Sequence, residues 1–221
     1  MVFPEEAIRG HLDVAADNGA HLHFGEAVVD WSVAAGGTIS VRTNAGAYDC
    51  GCLILAPGAW ASSLFKLPSV PLVVEPQQLH WFEPRGGAAA FAVDRFPIYI
   101  WDRGHGVQFY GFPADDNAHV KVAFFRSAVT GEAAMRDALR PCVPSLADGA
   151  LVETVHCKYT LTPDQHFVVG CHPDAANVVV ASPCSGHGYK FASVIGEILS
   201  DLAIDGATRH PIDLFRPTRF H

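Results

Sequence analysis

The chain predicts an α+β fold, and three observations carry that prediction. An amphipathic helical pattern covers residues 4–19. A long middle stretch is cut by Pro71, Pro76, Pro84 and Pro97 into short apolar runs, the signature of antiparallel strands. Near the end, two short apolar runs, 167–169 and 178–181, lead into a small-residue turn, Ser185-Gly186-His187-Gly188. That turn opens an amphipathic helix from about Tyr189 to Leu202.

Composition bounds the function. The chain has 221 residues, 49% of them hydrophobic and 17% charged, which suits one large globular domain or two small ones. A formal charge of −8 with no Lys/Arg cluster argues against nucleic acid, whose phosphates require a basic face. No apolar run is long enough to span a bilayer. The first twenty residues carry neither a basic region nor a small-residue cleavage site, so the expected compartment is cytoplasmic. Free thiols are then expected for the six cysteines, at 50, 52, 142, 157, 171 and 184. The close His and Cys sets (His21/His23, Cys50/Cys52, His156/Cys157) lack the spacing of a metal site.

Taken in order, the helix at 4–19 starts on Pro4 with Glu5 and Glu6 in its first turn and ends at Gly19. Ala7, Ile8, Leu12 and Ala15 form its apolar face. Strands follow at 21–24, 27–33 and 38–43, with a turn at Gly36-Gly37 and a hairpin turn at Asn44-Ala45-Gly46. A buried strand over 48–55 runs into Ala56-Pro57-Gly58-Ala59-Trp60 and a short helix at 61–64. The middle stretch predicts strands at 70–74, 78–83, 91–93, 98–102, 107–111 and 120–126. A helix over 131–142 comes next, stopped by Pro144. Three segments result: 1–67, 68–150 and 151–221.

The turn at 185–188 is the best candidate site on physical grounds. Glycines let the backbone approach a ligand, and the free N–H groups of a helix start favour negative charge or an electron-rich ring. Lys190 sits where a cation opposes the helix dipole, a small cost that hints at use.

The run Cys157-Lys158-Tyr159-Thr160-Leu161-Thr162-Pro163-Asp164-Gln165-His166-Phe167, followed by Ser185-Gly186-His187-Gly188-Tyr189-Lys190-Phe191, resembles the C-terminal part of the monomeric sarcosine oxidase and N-methyltryptophan oxidase family. These are FAD-dependent amino-acid oxidases of the D-amino-acid-oxidase-like superfamily. The resemblance implies a partial FAD-binding domain at 1–67 and 151–221, and a mixed, largely antiparallel substrate-binding sheet domain at 68–150. It implies FAD as cofactor, covalently held through Cys157, with Gly58, Ala59, Trp60, Ser185, Gly186, His187, Gly188 and Lys190 around it. Lys190 would pair with the substrate carboxylate, Lys121 would promote reaction with oxygen, and Tyr110 would line the substrate pocket. The implied reaction oxidises a secondary (N-methyl) or related small amino acid to an imine, with molecular oxygen reduced to hydrogen peroxide. Two departures stand out. Phe125 occupies a position that is histidine in the family, four residues after the lysine. The GxGxxG unit that opens the family's fold does not occur in this sequence. A partner chain supplying that dinucleotide-binding unit is therefore a further expectation. Uncovered by that unit, the strands at 52–55 and 178–181 should be exposed and prone to pair or aggregate.

Other readings stay open from the residues alone. Cys157 could be a small buried hydrophobe, Lys121 and Lys190 solvated charges, Tyr110 an ordinary strand aromatic, and His187 a core histidine bonded to backbone. At the level of function, the alternatives are a flavin-free binding or assembly domain, or an FAD-dependent amino-acid dehydrogenase.

Overall fold

The computed structural model describes residues 2–125, 127 and 129–220. It divides into two compact units, residues 1–53 and 54–221.

The first unit opens with α1 (Pro4–Asp17), which starts on its proline as the sequence predicts. Its apolar face is not buried: Ile8 is exposed, and Ala7, Leu12 and Ala15 are half-buried. A three-stranded antiparallel meander follows, β1 (Val28–Val33), β2 (Ile39–Thr43) and β3 (Ala47–Cys50). Trp31 pairs with Val41 across β1 and β2, and with Ile39 they form the buried side of the meander. In the hairpin between β2 and β3, the hydroxyl of Thr43 accepts the Ala45 and Gly46 amides at 3.1 and 3.0 Å. The strand expected at 21–24 is absent. Those residues are exposed, and His23 turns to the Glu26 carboxylate, 3.1 Å away.

The strand expected over 48–55 is two strands. Gly51 sits in a bend, beyond which β4 (Leu53–Leu55) joins a different sheet. After the 3-10 turn Gly58–Trp60 and the short helix α2 (Ala61–Leu64), the chain enters a five-stranded antiparallel sheet. Its strands are β5 (Val73–Glu83), β6 (Tyr99–Asp102), β7 (Gln108–Ala114), β8 (Val120–Phe124) and β9 (Ala150–Leu161), in the order β6-β7-β8-β5-β9. The strands expected at 70–74 and 78–83 are one strand, β5, which begins only at Val73 and continues through Pro76. Pro76 faces Lys158 of β9, while pairing with β8 begins only at Leu79, so the missing N–H falls where β5 has a neighbour on one side only. The expected strand at 91–93 is instead a 3-10 turn, Ala89–Phe91, that buries Phe91. Arg126, the expected end of the eighth strand, lies outside the described residues.

One face of this sheet is a sealed core. Phe82, Phe109, Val120, Val122 and Phe124 pack against Met135, Ala138 and Leu139 of α3 (Glu132–Leu139) and Leu146 of α4 (Pro144–Ala147). Pro144 thus starts a new helical turn rather than only ending the previous one, as suits a residue with fixed φ and no N–H at the first position.

The remaining sheet has the order β10-β11-β4, with β10 (Val168–His172) and β11 (Ala175–Ser182) an antiparallel pair. Helix α5 (Ala192–Ile204) covers it through Ile195, Ile198, Leu199 and Leu202. A 3-10 turn, Tyr189–Phe191, occupies the start expected for that helix, which is therefore displaced by three residues. The expectation that 178–181 would be exposed is overturned: Val178, Val179, Val180 and Ala181 are at most 1% accessible. Within residues 52–55, Leu55 is buried and Ile54 is exposed.

Candidate functional site

In an antiparallel sheet, directly opposed residues share a face. The pairings Tyr110↔Ala123, Leu79↔Ala123, Trp81↔Lys121, Leu79↔Val155, Gln77↔Cys157 and Glu75↔Tyr159 therefore collect one surface from four strands. It is the face opposite the sealed core. Three residues singled out from sequence, Tyr110, Lys121 and Cys157, stand on it together, although 47 positions of sequence separate Tyr110 from Cys157.

The surface is largely aromatic and apolar around one central cation, with Gln77 and Glu75 toward one end. The Lys121 ammonium lies 5.1 Å from the Trp81 ring centroid and 5.3 Å from that of Phe112. Both separations are within cation–π range. Tyr110 makes edge-on contacts with Phe112 (5.8 Å) and Phe125 (6.4 Å). The aromatic at 125 therefore fills a position beside the tyrosine with a group that cannot titrate. Burial, followed by the neighbouring Tyr159, pushes the Tyr110 phenol well above its usual range, so it stays neutral at any physiological pH. Cys157 is exposed, which removes the reading of it as a buried hydrophobe.

Tyr159 was not singled out from sequence. It shares a face with Cys157 two residues earlier and hydrogen-bonds Tyr110. The period-2 rule applied outward from Cys157 would have found it.

Two turns approach β9. The Lys158 ammonium lies 5.5 Å from the ring of Trp60, in the 3-10 turn Gly58–Trp60, and that indole is two-thirds exposed. Gly58 has φ +56°, with open space where a Cβ would stand. Ala59 beside it is half-buried. From the other side, the Ser185 amide donates to the Thr160 carbonyl at 2.9 Å. Gly186, at φ +75°, lies so close under Tyr159 that a Cβ there would come within 2.9 Å of the ring. Gly188 is tighter: a Cβ would fall 1.5 Å from the Pro183 carbonyl oxygen. His187 packs its ring 5.0 Å from that of Phe167, and its amide donates to the Cys184 carbonyl. Lys190 is exposed, its ammonium 5.4 Å from the ring of its neighbour Phe191.

This surface suits a flat ring system with a polar rim. A half-exposed, largely apolar sheet face of this kind is uncommon unless something covers it, and it carries an exposed cysteine and is bordered, through Gly186 under Tyr159, by the turn at 185–188. Nothing equivalent is present for a pyrophosphate, because no strand–GxGxxG–helix unit occurs in this sequence. Among the described residues, no group of three or more His, Cys, Asp or Glu could hold a metal, and no helix is long and apolar enough to cross a membrane. A cavity of about 480 Å³, lined by Cys171, His210 and Arg216 among others, involves none of the site residues.

Known proteins resemble this chain over most of its length. The chain is 42% identical to a monomeric sarcosine oxidase of Streptomyces avermitilis, over 99% of this chain and 61% of that protein. It is 27% identical to an N-methyl-L-tryptophan oxidase of Salmonella dublin, over 82% of this chain and 51% of that protein. Among solved structures, an L-proline dehydrogenase from P. horikoshii superposes with a TM-score of 0.79 at 22% identity, covering 98% of this chain and 59% of that one. The chain spans about three fifths of the length of the sarcosine oxidases it matches. Residues 1–202 match the FAD dependent oxidoreductase family, and the chain belongs to that family.

Proposed function

We propose that this chain carries the flavin-facing and substrate-facing part of an amine oxidase, acting on a secondary or N-methyl amino acid and forming an imine and hydrogen peroxide. The observation that carries the reading is the single sheet face shared by Tyr110, Lys121 and Cys157. FAD, when bound, would supply the redox chemistry between the amine and oxygen. The chain supplies position and charge. Cys157 is the attachment point, and Gly58, Ala59, Trp60 and Ser185–Gly188 border the ring. Lys190 orients the substrate carboxylate as a fixed cation. The neutral phenol of Tyr110 and the ring of Tyr159 wall the pocket and keep water from it. The ammonium of Lys121 stabilises negative charge that develops as oxygen is reduced. Phe125 makes that wall apolar, which favours an amine with an apolar substituent. We further propose that a dinucleotide-binding unit in a longer chain or a partner completes the FAD site.

The test is an absorbance spectrum of the purified chain supplied with FAD, taken before and after acid precipitation. The reading expects a flavin band that stays with the precipitate in the native chain and leaves it in Cys157→Ser. A band lost to the supernatant from both would remove covalent attachment. The absence of any flavin uptake, even with a GxGxxG-bearing partner domain present, would overturn the reading in favour of a flavin-free domain.

A further inference from the structure

The C-terminal segment reaches back to the glycine turn through a short relay of hydrogen bonds. After α5, Thr208 bonds Asp201 (2.7 Å), and Arg209 and His210 contact Glu197 (2.7 and 3.2 Å), fixing the start of the segment to the helix. Its far end is fixed by Arg219. The guanidinium donates twice to Asp164, Nε to Oδ2 at 2.7 Å and Nη2 to Oδ1 at 3.1 Å. This is the two-pronged geometry in which arginine binds a carboxylate most strongly. The arginine side chain is only 13% exposed, so water competes poorly for it.

Asp164 belongs to the turn that follows β9. Its Oδ1 also accepts the His166 amide at 3.1 Å. The His166 carbonyl in turn accepts two hydroxyls, from Thr162 at 2.8 Å and from Ser185 at 3.2 Å. Ser185 is the first residue of the glycine turn, and it is 1% exposed. Two residues in this relay hold left-handed backbone without being glycine, Gln165 at φ +59° and Ser185 at φ +46°. Such conformations persist only where surrounding bonds hold them.

We propose that Arg219 is a positioning residue: through Asp164 and the His166 carbonyl, it holds the Ser185–Gly188 turn in its ligand-binding conformation. That the turn borders a flavin rests on the function proposed above; the coupling between Arg219 and the turn does not. Asp164 is held far below the ordinary carboxylate range, first by the Arg219 hydrogen bonds, as a fully ionised partner requires.

The experiment is amide hydrogen exchange of the full chain, without flavin, resolved at Ser185 and His187. In Arg219→Ala the relay loses its charged end, and exchange at these amides should rise roughly tenfold or more, with little change in the β5–β9 ladder. Arg219→Lys, which supplies one prong, should fall between. Asp164→Asn, which keeps an acceptor for the His166 amide but removes the charge that Arg219 binds, should raise exchange at the same two amides. Arg216→Ala, which removes an ion pair with Asp213 on the same segment, is the control and should leave the turn unchanged. Unchanged exchange at Ser185 and His187 in Arg219→Ala would overturn the proposal, as would a uniform rise across the chain. Flavin release measured on the same variants separates the two readings. Faster release from Arg219→Ala supports both, whereas a native chain that takes up no flavin even with a GxGxxG-bearing partner domain present counts against the function and leaves the exchange result to decide the coupling.

Discussion

Lys121 shows how one residue gains its meaning from a register. Alone, a lysine inside HVKVAFF reads as a solvated charge on a strand, and only its pairing with Trp81 and its approach to Phe112 place it at the centre of an aromatic surface. If that ammonium stabilises reduced oxygen, Lys121→Met should slow reoxidation of the substrate-reduced protein by about a hundredfold or more, the scale typical of removing one such group. Reduction by the amine should change much less, and stopped-flow absorbance separates the two half-reactions. An unchanged oxygen rate would remove that role from Lys121, and a native protein that reacts only slowly with oxygen would favour the dehydrogenase alternative. Gly188 makes a purely structural counterpart. Because an added Cβ would sit 1.5 Å from a backbone oxygen, no side-chain movement can relieve it. Gly188→Ala should therefore lower the melting temperature sharply. Gly58→Ala meets open space and suffers only its positive φ, a cost of about 1–2 kcal/mol. Thermal denaturation of the two variants side by side checks the ranking. The candidate residues were legible in sequence where a motif carried them, as with Cys157 and the turn at 185–188. Tyr159 and the Asp164–Arg219 pair were not: one depends on strand parity, the other on two segments 55 positions apart that only the fold joins.

At the scale of elements, periodicity found the helices and most strands, and it failed where a neighbour decides. Residues 21–24 alternate well enough for a strand but have exposed side chains, one of which turns to Glu26. Gly51 redirects an apolar run into another sheet, and Pro76 is tolerated inside β5 because β8 pairs only from Leu79 onward. None of these partners is visible from local sequence. Glu26 itself ties the irregular segment to the meander. Its carboxylate accepts the Thr43 hydroxyl and the Tyr48 phenol, and these bonds, with His23 nearby, hold it below the usual carboxylate range. A depressed carboxyl contributes stability that is complete above its unfolded pKa, about 4.3, and is lost as pH falls through the lower folded value. The amide signals of Val41 and Tyr48 should therefore begin to weaken only below about pH 4.3. In Glu26→Gln, which has no charge to lose, the same signals should be weaker at neutral pH and flatter in acid. Two-dimensional amide spectra across an acid titration provide the measurement.

At the scale of the molecule, the two units differ in how much they can bury. Among the described residues of 1–53, the buried apolar side chains are Trp31, Ile39 and Val41, and α1 contributes none. Residues 54–221 hold two extensive clusters, one behind the five-stranded sheet and one under α5. Burial scales with chain length, and a unit of about 50 residues lies near the limit at which an apolar core alone sustains a fold. Local stability should follow this difference. Amides of Ile39–Thr43 should exchange at least about tenfold faster than those of Val178–Ala181, which belong to strands buried on both faces. Hydrogen exchange followed by mass spectrometry of peptides from each unit makes the comparison directly. Equal protection in the two would mean that they open as one cooperative body. Faster exchange confined to residues 1–53 would mean that the larger unit, which holds every candidate residue on the shared sheet face, keeps that face in place whether or not the smaller unit is folded.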